Sequence, residues 1–385
     1  MNHHFISPIF VVLVSSTLSV ACGGGEGARP DPGVAPSVAE QRVERRRSEF
    51  REVTTGQAHS CAISVEGTVA CWGDNSVGQL GDGTHVTRAR PVWVEAITSA
   101  IDVDAGVLET CALIEGGGAR CWGSGTPGIV RALPTGLEGV HGVIRSIAVG
   151  RTVCAIDLRG RAYCWAGTGA DAPVGSGAPV VLPTRNPAVY IDVGVDRLCT
   201  LSGPDDGQCF EIVTDEDGGP LEFTATEVVL ALDDVRQLAV SGQQACATGH
   251  GRAFCWGENE HGQLGTGDRE ARDQPAQILD HVDITHVTTG WHHSCATTAQ
   301  GGVKCWGDNT WGQLGDGTTA SNDSPVDVTG LPAGVTRVAA GRGHTCAVTI
   351  GREVYCWGLN EEGQIGDGTT TNRLIPVAVD LTDLR

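Results

Sequence analysis

Lysine is almost missing from this 385-residue chain: Lys304 is the only one. With 46 Asp and Glu against 26 Lys and Arg, the formal charge is −20. A polyanion would repel such a surface, which argues against broad nucleic-acid binding. Tyr and Phe are scarce too, with 3 and 6 residues. Catalytic signatures are missing as well. There is no G-x-S-x-G, no H-E-x-x-H, no phosphate-binding glycine loop and no consistent carboxylate pair, so nothing argues for an enzyme or a cofactor. No C-x-x-C occurs, and no Cys/His spacing resembles a zinc finger.

What the chain has in quantity is glycine, 55 residues, and cysteine, 15 residues. Glycine at this level, with many Val and Thr, predicts short strands joined by tight turns. Fifteen cysteines are too many for an ordinary cytosolic protein and point to disulfides in an oxidising compartment. The N-terminus agrees. The apolar run in "FISPIFVVLVSSTLSVAC" (5–22) is too short for a membrane span. It ends in small residues before Cys22, and "CGGGEGARPDPGVAP" follows. This resembles a bacterial lipoprotein signal: a leader over 1–21, lipidation of Cys22, and a flexible linker over 22–47. The chain departs from that pattern in having only His3 and His4 ahead of the apolar run and Ser19 in place of the usual Leu. The alternative is an ordinary secretion signal with an incidental cysteine. On the first reading the protein is an exported cell-envelope lipoprotein, touching the membrane only through its N-terminal lipid.

The other fourteen cysteines fall into seven pairs: Cys61 with Cys71, Cys111 with Cys121, Cys154 with Cys164, Cys199 with Cys209, Cys246 with Cys255, Cys295 with Cys305 and Cys346 with Cys356. Six pairs are ten residues apart and one is nine, and the first members recur every 43 to 51 residues. Each unit opens with a short alternating run, such as "FREVTTG" (50–56). Two cysteine-bearing strands follow, and "PVWVEAI" (91–97), "QPAQIL" (274–279) and "SPVDVTG" (324–330) supply a fourth. Four short strands per 40–50 residues is the signature of a propeller blade. If Cys61 lies opposite Cys71, the hairpin loop is Val65-Glu66-Gly67, and a three-residue loop wants a left-handed third residue. Gly67, Gly117, Gly160 and Gly301 all fall there, and His250-Gly251 makes a two-residue loop. Gly203-Pro204-Asp205 and Ile350-Gly351-Arg352 do not fit the pattern. Opposed residues on antiparallel strands are close enough for a disulfide, so each pair is expected to staple its own hairpin.

The repeat G-x-x-H-S-C-A…C-W-G-x-N-x-x-G-Q-L-G-D-G-T, best seen over 56–84, 290–318 and 341–369, resembles the RCC1 (regulator of chromosome condensation) repeat. The resemblance covers about 48–385. It implies an all-β, seven-bladed propeller whose ring is closed by N- and C-terminal strands, with "LIPVAVD" (374–380) completing the blade begun by "FREVTTG". Units two, three and four depart from it by losing "GQLGDGT", and unit four also loses the Trp.

Several residues invite a chemical reading. Asp82, Asp316 and Asp367 sit in GDGT loops with a calcium-site flavour, but one carboxylate per loop is too few, and a capping role is expected. His59, His293 and His344 share one repeat position. Metal ligation is conceivable there, and a buried histidine bonded to its neighbours is expected instead. The tryptophans that follow the second cysteines should pack between blades, leaving Trp93, Trp291 and Trp311 for surface contacts. The expected function is a non-enzymatic, monomeric scaffold that binds a protein partner. A carbohydrate-binding propeller is the alternative. A nucleotide-exchange regulator like the family's namesake is disfavoured by export. Residues 101–238 hold 19 acidic and 9 basic side chains. Recognition of a basic partner surface is therefore expected on the irregular arc, through "GTGADAP" (167–173), "VTDEDGGP" (213–220) and above all Asp215, Glu216 and Asp217.

Overall fold

The computed structural model describes residues 49–384 apart from segments at 125–130, 138, 141, 166–178, 214–221, 227–231, 233, 243 and 280–282. The leader, Cys22, the linker, Asp215, Glu216 and Asp217 lie outside the described residues. Among those described, no helix is long and apolar enough to cross a membrane.

Blade one is a four-stranded antiparallel sheet of β1 (Phe50–Thr55), β2 (His59–Ser64), β3 (Val69–Gly73) and β4 (Arg88–Trp93), in that order. Six more sheets repeat it, each from four consecutive strands, so the fold is a seven-bladed β-propeller. Inner strands alternate: Val53 is buried between blades while Glu52 and Thr54 line the axis, as the two-residue period of a strand requires.

The expected closure by a shared blade is not what the structure shows. The strand Arg373–Ala378 pairs with Val354–Gly358 of its own unit, and β1 pairs only with β2. Among the described residues, no blade is built from both chain ends. The fourth strands also begin two to three residues earlier than the sequence pattern suggests, at Arg88, Arg272 and Asn322. The apolar residues beyond the first of them, Val94 and Ile97, leave the sheet to pack against Val103, Ala112 and Trp122 of blade two. Their hydrophobicity serves the contact between blades.

Closure comes from packing blade seven on blade one with the apolar residues that separate every other pair of neighbouring blades. Phe50, Val53, Ala62, Ala70 and Trp72 of blade one pack on Cys346, Val348, Val354, Cys356 and Ile365 of blade seven. Along the axis the inner strands end in a ring of glycines. A Cβ on Gly56, Gly106 or Gly150 would lie 2.4, 2.2 or 2.1 Å from the next blade's Gly106, Gly150 or Gly194 carbonyl oxygen. One on Gly341 would lie 2.5 Å from the Gly56 carbonyl oxygen, which closes the circle. Glycine is required because backbone meets backbone there. Blade five has Ser241 instead, whose hydroxyl donates to the Gly290 carbonyl.

Every expected cysteine pair faces its partner across its own hairpin and forms a disulfide, with Cα separations of 4.0–4.1 Å. Cys61 bonds to Cys71 in blade one, Cys111 to Cys121 in blade two and Cys154 to Cys164 in blade three. Cys199 bonds to Cys209 in blade four and Cys246 to Cys255 in blade five. Cys295 bonds to Cys305 in blade six and Cys346 to Cys356 in blade seven. No bridge joins two blades. Gly67, Gly117, Gly160 and Gly301 have positive φ, and so do His250 and Gly251. The two hairpins that did not fit reach the same register differently. Arg352 takes the left-handed third position at φ 64°. In blade four a register shift between Leu201 and Gly203 absorbs one residue, leaving a two-residue turn and Cys199 opposite Cys209.

Candidate functional site

Four of the seven blade contacts are built alike. The Gln79 carbonyl of blade one accepts from Trp122 Nε1 at 2.9 Å and from Thr110 Oγ1 at 3.0 Å, both on blade two. Gln263, Gln313 and Gln364 do the same for Trp306 and Ser294, Trp357 and Thr345, and Trp72 and Ser60. The last of these joins blade seven to blade one. The GQLG loop of one blade is thus the receptor for the Trp of the next. Asn75 fixes that loop: its Oδ1 accepts from Leu80 N, and its Nδ2 donates to Asp82 Oδ1 and the Val86 carbonyl. Asp82 also accepts from Thr84 N and pairs with Arg88. Asp367 repeats this with Thr369 and Arg373, and Asp316 accepts from Thr318 N. These aspartates cap loops. Among the described residues no cluster of three or more His, Cys, Asp or Glu is placed to hold a metal.

The three repeat histidines are fully buried and belong to the same contacts. His59 Nε2 lies 2.8 Å from Thr110 Oγ1, His293 Nε2 2.9 Å from Thr345 Oγ1, and His344 Nε2 2.9 Å from Ser60 Oγ. Each hydroxyl hydrogen already points to a Gln carbonyl, so Nε2–H is the donor and the ring is neutral. Burial pulls the pKa down to about 4 for His59 and His293 and about 3 for His344. Because these folded values lie below 6.5, the unfolded chain takes up protons first on acidification. The stability contribution is complete above pH 6.5 and drains away between 6.5 and 4. Blade five carries Gln244 at this position, donating to Ser294 Oγ. His344→Gln should therefore fold and lose less stability than the parent between pH 7.5 and 5, by about 2 kcal/mol. Thermal unfolding across that range checks it, and identical pH slopes would show that His344 is not held neutral.

Blade two receives the Gln79 contact, but neither it nor blades three and four carry a GQLG sequence to offer the next blade. Glu109 of blade two stands where the histidine would be, with Oε2 unpaired and its carboxyl pushed up to about 8 by burial. Arg197 holds the position in blade four, with Nε unpaired. Trp256 follows a blade without a GQLG loop, and its Nε1 has no partner among the described residues. The surface tryptophans are half-buried and already engaged. Trp93 Nε1 donates to the Leu384 carbonyl, and Arg342 lies over the Trp291 ring at 5.1 Å. Trp311 packs against Gly343.

Sequence reasoning did not find the axial channel. Its mouth, a cavity of about 140 Å³, opens where the inner strands turn back. Beyond it lies a chamber of about 480 Å³. Thr54, Asp104, Asp192, Ala239, Thr288 and Ala339 border both and form a waist. Two waist carboxylates clasp neighbouring blades. Asp104 accepts from Thr54 Oγ1 and from Val149 N at 2.7 Å, and Asp192 accepts from Val240 N at 2.7 Å. Burial pushes Asp192 up to about 7, and burial with the nearby Asp192 charge raises Asp104 well above the usual carboxylate range. The signal that could have located the channel is the polar residue two places before each waist position, from Glu52 in blade one to Arg337 in blade seven.

The geometry is that of a disulfide-stapled β-propeller with an open axial channel. The Regulator of chromosome condensation (RCC1) repeat pattern matches residues 66–113, 250–297, 300–348 and 353–384. A second pattern of the same repeat matches 50–79, 284–313 and 335–364. Together they span 50–113 and 250–384, just over half of the 385 residues, and the chain belongs to the RCC1 repeat family. It is similar to the E3 ubiquitin-protein ligase HERC2 of Homo sapiens, 29% identical over 338 residues. That match covers 79% of this chain but only 7% of HERC2. It is also similar to the ultraviolet-B receptor UVR8 of Arabidopsis thaliana, 27% identical over 363 residues, covering 85% of this chain and 81% of the receptor. Among solved structures, Prp20p of Saccharomyces cerevisiae superposes with a TM-score of 0.68 at 19% identity, over 88% of this chain and 89% of that one.

Proposed function

We propose that this chain is an exported, non-catalytic scaffold, lipid-anchored at Cys22 in a bacterial envelope, that binds a protein partner by its irregular arc. The observation that carries the export half of this reading is the set of seven buried disulfides, one in every blade, which a reducing cytosol would not sustain. Protein binding is supported by the relative Prp20p, whose structural work concerns binding to Gsp1p and histones. The charge of −20 on this chain favours a basic partner face. In blades two to four the second-to-last strands end on the same side of the ring as the turns of the inner strands. The sequences that follow those strands, including Asp215, Glu216 and Asp217, lack the GQLG motif of the regular units.

Cross-linking in intact cells followed by fractionation tests both halves. The adduct should sit in the membrane fraction, and Cys22→Ser should move the chain to the soluble fraction or leave the precursor uncleaved. Replacing Asp215, Glu216 and Asp217 with Ser should slow association with the captured partner, by less as salt rises. Membrane retention of a normally cleaved Cys22→Ser chain would remove the anchor. Unchanged association, with loss on altering the loops at Asp316 and Asp367, would move the site to the regular arc.

A further inference from the structure

We propose that the axial chamber is a binding site for a small organic ammonium ion, held by the carboxylates of Glu52 and Asp102. The inner strands are structural repeats, and two adjacent positions on them behave in opposite ways. At the position that packs between blades the residues are uniform: Val53, Val103, Ile147, Ile191, Leu238, Val287 and Val338. At the preceding position, which lines the chamber, they are Glu52, Asp102, Ser146, Tyr190, Gln237, His286 and Arg337. All seven can hydrogen-bond and no two are alike. A purely architectural demand would select one residue type around the ring, as it does one residue further on. Seven different donors and acceptors aimed at one axis make an asymmetric polar lining, which is what orients a ligand.

The size and charge of the chamber specify the ligand. About 480 Å³ falls within the range of small-molecule sites. Glu52 and Asp102 are on neighbouring blades, with Asp104 and Asp192 behind them at the waist. Arg337 and Arg236 are the cations that line the same space, and Arg51 pairs with Glu52 at 3.8 Å. Four carboxylates facing two lining arginines leave room for a cation. The carboxylates feel one another: burial, followed by the Asp102 charge, pushes Glu52 up to about 7, and Asp102 is also raised by burial. A bound cation relieves both effects.

His286 belongs to the same wall. Its ring lines the chamber, and its Nδ1 is buried without a hydrogen-bond partner. Burial, with Arg337 nearby, lowers its pKa to about 4, so the ring is neutral at pH 7. Tyr190 and Gln237 are already partly committed, donating to the Leu238 and Val287 carbonyls at 3.1 and 3.0 Å, and so act as fixed walls. The directional lining, together with the lack of any metal-holding cluster among the described residues, favours an organic cation over a bare metal ion.

Isothermal titration of the oxidised protein with putrescine at pH 7.5 tests this. Saturable binding is expected. It should weaken at least tenfold in the double variant Glu52→Gln with Asp102→Asn and change less than twofold in Glu95→Gln, which alters an exposed carboxylate away from the axis. The parent protein gives a second readout that needs no variant to fold. Binding should weaken at least tenfold between pH 7.5 and 5.5 as Glu52 and Asp192, both raised to about 7 by burial, protonate, while Tyr190, raised by burial, stays neutral and His286, lowered to about 4, gains no charge there. Absence of saturable binding up to 10 mM, equal affinity in the double variant, no pH dependence, or glutamate binding as well as putrescine would each overturn the proposal.

Discussion

Complete reduction of the seven disulfides is expected to abolish the fold. Each bridge closes a loop of nine or ten residues, and in the chain-entropy account such a loop contributes about 2–3 kcal/mol. Seven of them sum to roughly 20 kcal/mol, more than the 5–15 kcal/mol net stability that is typical of a whole domain. The sulfurs are buried, most of the cysteines having no exposed surface, so reductant alone should act slowly on the native ring. The informative experiment reduces and alkylates the chain in denaturant, dilutes it, and compares its circular dichroism and thermal transition with the oxidised protein carried through the same steps. The alkylated chain should show no cooperative transition. Removal of one bridge by Cys295→Ala together with Cys305→Ala should leave a folded protein weakened by about 3 kcal/mol. A reduced chain that refolds cooperatively would show that the contacts between blades suffice by themselves.

Trp306→Ala should cost about 3–5 kcal/mol, because a fully buried indole between two blades leaves a large cavity. Replacement by Phe separates the ring from its hydrogen bond. Trp306 Nε1 donates to the Gln263 carbonyl at 2.8 Å, so Trp306→Phe loses that bond as well as volume. Trp256 occupies the same repeat position, equally buried, but its Nε1 has no partner among the described residues. Trp256→Phe removes an unsatisfied donor and should be milder by about 1–2 kcal/mol. Urea unfolding of the two Phe variants measures the difference directly. Equal losses would mean that the bond to the preceding blade contributes nothing to stability, and that the GQLG loops matter only for packing.

The regular and irregular arcs therefore differ in more than loop sequence. Matching Trp-to-Gln contacts join blade five to six, six to seven, seven to one and one to two. Glu109, Arg197 and Trp256 carry unpaired polar atoms among the described residues, and so do His59, His293 and His344 within the regular blades.

Much of this was legible in the sequence because it is local. The spacing of Cys61 and Cys71 and the left-handed Gly67 between them settle which residues oppose each other, since a hairpin's register follows from its loop. The same reasoning missed Arg352 only because a non-glycine residue took the positive φ. The period of the cysteines determined the number of blades, and the tryptophan position determined what fills the space between them. How the ring closes was decided in three dimensions. Residues 374–380 have the same composition whether they join the first blade or complete the last, and only the pairing of Arg373–Ala378 with Val354–Gly358 separates the two. The partners of His344 and Trp72 lie 284 and 292 residues away, a distance over which spacing carries no information. The chamber is the extreme case. Its seven lining residues come from seven blades, and each is an ordinary polar residue on its own strand. They become a site only because a closed ring turns one strand position from every repeat toward a single axis.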